Sequence, residues 1–505
     1  MKLHSPHRRL CSSTGLLALG LITAAAQPSL AQAPSFQVTR NFSGFFNFGN
    51  TGFIPPDTMG AVGPTQFGEI VNGGYAVFSK TGSLISNTTD VQFWNDAGVG
   101  ADAAGGVYDP RIQYDAGSGH WFATELASMT NSAGGDNELL VAVSKSADLT
   151  QGFNGYAFST VSGTSQNYFA DFDTLGINST GVYVGINDFG PNLTYATSIL
   201  AINKGSLISG NPTSNLSYNI DPNTTGFTSH PVTDTSADPT AYFLSDFNVP
   251  AGYLSVSTET GTTGPVTGGG ANVAAVAYAD PPNHAFLDTQ KGSAAQIDGG
   301  DTRFSGSVVK VGNIIYGVQS VQDPGSGALQ DIRLVGINAT TKVTVLDQLI
   351  RNSTHNYNYP SLAINATGKV VIGFSSVGPN QFISGNAIVG QLNAAGNAVA
   401  FSGPVTLAAG KSTYTTTGIG DPSIRWGDYS STTIDPTNPN KFWTIQEYAS
   451  GTNVWSTKIS EITLDAVPET ASSVSLGLLL GLGGLMLVLR KHKVSRVSRT
   501  ASGNG

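Results

Sequence analysis

The sequence predicts an all-β protein: a single β-propeller of four-stranded antiparallel sheets, six blades rather than seven, with an N-terminal signal-peptide helix and a C-terminal transmembrane helix. Three observations predict it. Short β-branched and aromatic runs recur between turn signals built from Gly, Asn and Pro. The repeat starts fall near residues 109, 171, 238, 303, 358 and 424, a period of roughly 55–68 residues that suits four strands with long loops. Charged residues make up only 11% of the chain and Gly is abundant, unlike a helical protein built on amphipathic runs. A ring of blades also disposes of exposed sheet edges. A pair of β-sandwiches is the runner-up.

The elements follow in order. "EIVNGGYAVFSKTGSLI" (69–85) reads as two strands around Lys80-Thr81-Gly82, placed to join the last blade and close the ring. "DPRIQYDAGSGHWFAT" (109–124) carries Ile112 and Tyr114, a tight Asp-Ala-Gly-Ser-Gly turn, then His120-Trp121-Phe122. "LGINSTGVYVGIN" (175–187) repeats the shape with a turn ending at Gly181, and "AYFLSDF" with "GYLSVST" (241–257) repeats it again. "SGSVVKVGNIIYGVQS" (305–320) turns at Gly312-Asn313, and "PSLAINATGKVVIGFSS" (360–376) at Ala366-Thr367-Gly368. "STTIDPTNPNKFWTIQEY" (431–448) turns through Asp435-Pro436-Thr437-Asn438-Pro439. Segments 190–235 and 377–420 read as irregular. The propeller is expected over 55–465, after a linker at 34–54.

Both ends carry export signals. Lys2, Arg8 and Arg9 precede the apolar "GLLALGLITAAA", and Ala31-Gln32-Ala33 supplies small residues for cleavage, so 1–33 reads as a signal peptide. Cys11 is the only cysteine and leaves with it, which removes thiol nucleophiles, disulfides and Cys metal sites from the mature body. Near the other end, Val474–Leu489 is apolar and is closed by Arg490, Lys491 and Lys493. Those residues span about 24 Å as a helix, somewhat short of a bilayer core. The basic end stays cytoplasmic by the positive-inside bias. Val467, Pro468, Glu469 and Thr470, the apolar run and the basic cluster together resemble the PEP-CTERM sorting signal of Gram-negative bacteria and cyanobacteria, with Thr470 where that motif has a second proline. The resemblance covers 466–493, leaves 494–505 as a basic polar tail, and implies processing by an exosortase after signal peptidase has acted. The implied route is export, transient inner-membrane anchoring, then the cell surface or extracellular matrix. An ordinary tail anchor is the alternative.

With both termini set aside, the body holds 16 Lys+Arg against 32 Asp+Glu, a net charge of −16. Nucleic acid and anionic membranes are poor partners for such a surface, because backbone binding needs clustered cations.

Four blocks, "PPDTMGAVGPTQFGEIVNGGYAVFSKTG" (55–82), "YDPRIQYDAGSGHWF" (108–122), "VAVSKSADLT" (141–150) and "RWGDYSSTTIDPTNPNKFWTIQEY" (425–448), resemble a group of secreted bacterial proteins taken to be sialidase-like propellers. The resemblance implies the fold and brings no established activity.

The body has six arginines, and Arg111, Arg303 and Arg425 sit at similar points, at or just before the first strand of a repeat. First strands line a propeller's channel, so three guanidiniums could converge there. Sialidases grip a carboxylate with three arginines and use a Tyr-Glu nucleophile pair and an acidic proton donor. Tyr429, Tyr108 and Asp109, with Glu125 and Glu447 as the nearest glutamates, would supply that chemistry, although no spacing ties them together. The favoured reading is that Asp109 with Arg111, and Arg425 with Asp428, are paired ions bracing adjacent blades, with Trp426 and Tyr429 packed between them. Asp109, Asp171, Asp173, Asp238 and Asp421 recur near repeat starts, a weak Ca²⁺ signal without an EF-hand or RTX loop. No other cofactor is suggested, and the dispersed histidines do not form a zinc motif. The preferred function is therefore a non-enzymatic surface or matrix module for exopolysaccharide or other surface proteins. The alternative is a sialidase-like hydrolase or lyase acting on acidic polysaccharide.

Overall fold

The computed structural model describes residues 32–465 except 47–50, 129–136, 161–167, 191–194, 261, 263–269, 280–285, 323–328 and 419–422. Seven four-stranded antiparallel meanders follow one another. The first runs Met59–Val62, Gln66–Val71, Gly74–Ser79, Leu84–Thr88. The second spans Val107–Asp115 to Phe153–Ser159, and the third Phe169–Ile177 to Ser214–Ile220. The fourth spans Phe227–Asp234 to Ala271–Ala274, and the fifth Val308–Val311 to Thr344–Ile350. The sixth spans Asn356–Ile364 to Val399–Phe401. The seventh takes Ser431–Ile434, Lys441–Gly451 and Val454–Leu464 from the end of the chain and Phe36–Phe46 from its beginning. First strands of consecutive meanders touch all the way round, and that of the seventh touches that of the first. This closed ring of up-and-down sheets is a β-propeller.

Four expectations are corrected here. Phe36–Phe46 is no linker: it pairs antiparallel with Val454–Leu464, from Phe36 opposite Leu464 to Phe46 opposite Ser456. Phe36 and Val38 pack toward the sixth sheet, and Phe42 packs toward the first on the other face. The hairpin at 69–85 does not extend the last blade, because Met59–Val62 and Leu84–Thr88 complete a sheet of its own. Seven meanders are traced among the described residues where the period favoured six, and the fourth and fifth join into one eight-stranded sheet through parallel pairing of Val232–Asp234 with Val308–Lys310. The segments read as irregular hold strands too: Tyr195–Asn203, Ser214–Ile220 and Phe227–Asp234 in one, Gln381–Leu392 in the other. The expected turns at Gly82, Gly119, Gly312 and Gly368 all adopt positive φ, which glycine allows without a Cβ clash.

The core lies between sheets rather than within one layer. Phe122, Leu139 and Val141 of the second sheet pack on Leu175, Val184 and Leu200 of the third. Val318, Ile332 and Leu334 of the fifth pack on Leu362, Ile372 and Phe374 of the sixth. Each sheet is thus buried on both faces, which explains strands that are apolar at consecutive positions as well as alternating ones. Helix is confined to Asp90–Ala97 and to segments of five residues or fewer among the described residues. Thr89 caps Asp90–Ala97 by accepting from Gln92 N–H, and Gly98 ends it at φ 100°. That helix buries Phe93 and Trp94 over the edge of the first two sheets.

Among the described residues no helix is long and apolar enough to cross a membrane. The signal segment up to residue 31, Asp421, the motif Val467, Pro468, Glu469 and Thr470, the apolar run 474–489 and the basic Arg490, Lys491 and Lys493 lie outside the described residues.

Candidate functional site

The first strands share a local irregularity that builds the site. Asp109 (φ 59°), Phe172 (φ 52°), Thr228 (φ 56°) and Tyr359 (φ 51°) adopt left-handed backbone, and so does Asp57 (φ 48°) just ahead of the first sheet. In the second, third, fourth and sixth sheets this residue sits where the ladder slips register. A bulge bends its strand and re-aims a side chain. Left-handed non-glycine residues cost about 1–3 kcal/mol each and gather where function holds them. Here the bulges turn Asp109, Phe172 and Tyr359 toward one shared cluster.

All six of the residues expected to bind or brace meet there. Arg111 is buried, with its guanidinium carbon 3.4 Å from the Tyr429 ring centre and 5.2 Å from that of Phe172. Its Nε donates to the Asp173 carbonyl (2.7 Å) and one terminal nitrogen to the Ser305 carbonyl (3.0 Å). Arg303 binds Asp301 (2.7 Å) and lies 4.3 Å over Phe172. Arg425 reaches both oxygens of Asp428 at 2.8 Å and Asp298 at 3.6 Å. Arg425 and Asp298 are neighbours because Ile424–Arg425 pairs parallel with Ser293–Asp298, a strand inserted between the fourth and fifth sheets. Asp109 Oδ2 accepts from Phe172 N–H (2.7 Å). Of the two ion pairs expected to brace adjacent blades, Arg425–Asp428 forms within one loop, and Asp109 does not bind Arg111; each of those two has other partners.

Carboxylates outnumber guanidiniums in this volume. Asp57, Asp109 and Asp428 bring oxygens within 4.8 Å of one another. Burial pushes the Asp57 carboxyl up to about 7, and Asp428 beside it pushes the same way. Asp109 is raised well above the carboxylate range by burial and then by Asp171, Asp57 and Asp428. Glu447 is raised likewise by burial, then by Asp57 and Asp428. Arg425 is held charged above its usual range, chiefly by Asp428.

A small cavity opens beside this cluster, lined by Phe172, Gly300, Asp301, Arg303, Tyr359 and Asp428 among others. Its polar lining is the Arg303–Asp301 ion pair, the Asp428 carboxylate, Ser305, Ser320 and the Tyr359 phenol, which donates to the Asp298 carbonyl (3.1 Å). Gly300 (φ 80°) leaves room for the Tyr359 ring, which a Cβ there would meet at 2.7 Å.

Other candidates fall elsewhere. Tyr108 packs on Phe169 and donates to the Ala170 carbonyl (3.0 Å), between the second and third sheets. Glu125 is buried against the indole of Trp94. Asp238 binds Lys310 (3.1 Å), away from the acid trio. Asp173 accepts from Thr124 behind Arg111. Trp426 is buried between sheets, edge-on to Tyr414 (4.9 Å) and donating to Ser375 (3.2 Å). Sequence reasoning missed Asp57, Phe172, Tyr359, Asp298 and Asp301. A usable signal existed for Asp57: like Asp109, it is an aspartate at the entry of a repeat's first strand.

No protein-family model and no curated protein matches the chain. Among solved structures it is similar to Trypanosoma rangeli sialidase in complex with the inhibitor DANA, at 10% identity and a TM-score of 0.31. That match covers 79% of this chain and 59% of the sialidase, so the chain spans less than two thirds of it. It is also similar to a protein of unknown function from Dyadobacter fermentans (10% identity, TM-score 0.28, 86% of this chain and all of the other). A GH43 endo-arabinanase from Bacillus licheniformis matches at 12% identity and a TM-score of 0.29, over 58% of this chain and 98% of that one. None of these likenesses is strong enough to carry a statement about this chain, whose architecture stands on its own strand order.

Proposed function

We propose that the protein is an exported cell-surface or matrix propeller whose axial cavity binds a glycan or protein without turning it over. One observation carries this reading: the three arginines that would form a carboxylate clamp are each engaged inside the protein. Arg303 is held by Asp301 and Arg425 by Asp428 and Asp298, while Arg111 is buried under Tyr429 and tied to two backbone carbonyls. A clamp needs free forks of donors facing the substrate. Beside the arginines lies a small cleft lined by Phe172, Ser305, Ser320, Tyr359 and the Arg303–Asp301 pair, with room for about one water-sized group, such as one hydroxyl of a larger ligand. The acidic body and the resemblance of the C-terminus to an exosortase signal fit a surface destination.

A glycan array run beside a panel of chromogenic glycosides tests this. Binding without turnover, lost in Arg303→Ala while the fold survives, is the expected result. Turnover that disappears in Arg425→Ala would establish the alternative, a sialidase-like hydrolase or lyase. Destination is tested separately by intact-mass spectrometry of the protein from its native host. Loss of 1–33 and of everything beyond the Val467–Thr470 region is expected; persistence of 474–489 would leave the tail anchor.

A further inference from the structure

We propose that Asp57, Asp109 and Asp428 form a binding site for one hard divalent cation of the Ca²⁺ type, which ties the last sheet of the ring to the first two. The three aspartates come from the entries of the seventh, first and second sheets, which are consecutive around the ring. Their ligand oxygens lie within 4.8 Å of one another, the span of two Ca–O bonds of about 2.4 Å placed on opposite sides of an ion. Ca²⁺ takes carboxylate, carbonyl and hydroxyl oxygens in flexible geometry, which three strands from different sheets can supply.

Unpartnered oxygens at the cluster point the same way. Asp57 is 2% exposed; its Oδ2 accepts from Asn72 (2.7 Å), while its Oδ1 has no partner. The Tyr429 hydroxyl is buried and also unpartnered; the charges acting on it are Arg111, which lies over its ring, then Asp109 and Asp57. Glu447 Oε1 is buried without a partner beside Asp57 and Asp428. Buried polar atoms left unpaired are costly and call for a partner. Asn72 holds the geometry, donating to Asp57 and accepting from Asp109 N–H (3.1 Å). Arg425 occupies one direction at each Asp428 oxygen, and a carboxylate oxygen has a second lone pair for a metal.

Isothermal titration of the EGTA-treated full chain with CaCl₂, and separately with MgCl₂, tests the site. One Ca²⁺ per chain is expected, with Mg²⁺ at least tenfold weaker and a rise in melting temperature on adding Ca²⁺. Affinity should fall at least tenfold in Asp57→Asn and in Asp428→Asn, and stay unchanged in Asp96→Asn, an exposed acid on the helix. If Asp57→Asn does not fold, the partly exposed Asp428 decides. Absence of stoichiometric binding at millimolar Ca²⁺ would overturn the proposal and leave shared protons to relieve the cluster. Binding that survives both aspartate substitutions would overturn it as well, by placing the ion elsewhere.

Discussion

Arg425 shows how one side chain holds distant parts of the ring. Its guanidinium takes Asp428 on its own loop and Asp298 on the inserted strand. Arg425→Ala leaves both carboxylates facing the crowded acids of the cluster, and breaking such a pair costs about 3 kcal/mol. Urea unfolding should show that loss, and a change under about 0.5 kcal/mol, the range of an ordinary surface substitution, would mean the pair braces nothing. Glu69 gives a pH-dependent counterpart. It is fully buried, accepts from Phe45 N–H and from the Thr457 hydroxyl, and burial pushes its carboxyl up to about 7. The folded protein therefore keeps a proton that the unfolded chain releases near 4.5. The resulting stability is complete below about 4.5 and is lost as pH rises through about 7, by up to about 3 kcal/mol. The unfolding free energy of the native protein minus that of Glu69→Gln should fall by that amount from pH 4.5 to 8. A difference that stays flat would contradict the assignment.

Between elements, the decisive contacts are backbone against backbone at the ring's inner wall. Gly185 in the third sheet faces the Ser229 carbonyl in the fourth, and a Cβ at 185 would lie 2.0 Å from that oxygen. Gly185→Ala should separate the two sheets and cost about 2 kcal/mol, within the usual range for overpacking. Thermal unfolding measures it; an unchanged melting temperature would mean that the sheets part without penalty. The same close approach was not legible beforehand. A glycine in the middle of "VYVGIN" signals a neighbouring backbone or a bulge equally well, and only the packing of the fourth sheet decides which. The strands themselves were legible wherever a short Gly turn joined two β-branched runs, as at Gly312 and Gly368.

At the scale of the whole molecule, the ring depends on a strand from the far end of the chain. Phe36–Phe46 covers the edge of Val454–Leu464 and brings Phe45 N–H to Glu69 in the first sheet. A chain lacking 34–46 should lose cooperative unfolding at the native urea midpoint and associate through the bared edge. Light scattering and urea titration test both. A monomer with native stability would show that closure is dispensable. The six residues expected to brace or bind do meet: Asp109 and Arg111 sit on a first strand, Arg303, Asp428 and Tyr429 in segments leading into one, and Arg425 on the short Ile424–Arg425 strand. The Arg425–Asp428 pair was legible in the sequence; the second partner, Asp298, was not, because it comes on a strand inserted far away in sequence.

The sequence by itself determined what depends on neighbours along the chain. It set the strand-turn-strand repeats, the scarcity of helix, the acidic body and the places where charge concentrates at repeat starts. Alternation, turn glycines and composition are local properties, so they can be read locally. Only the tertiary structure decided the order of the seven meanders, the closing role of Phe36–Phe46 and the meeting of Asp57, Asp109 and Asp428. Each of these depends on ring closure, which sets the first sheet beside the last. An eleven-residue strand with two register shifts looks like a linker until a partner edge is beside it. Aspartates at opposite ends of a chain acquire a joint chemistry only when the ring places their oxygens within reach of one another.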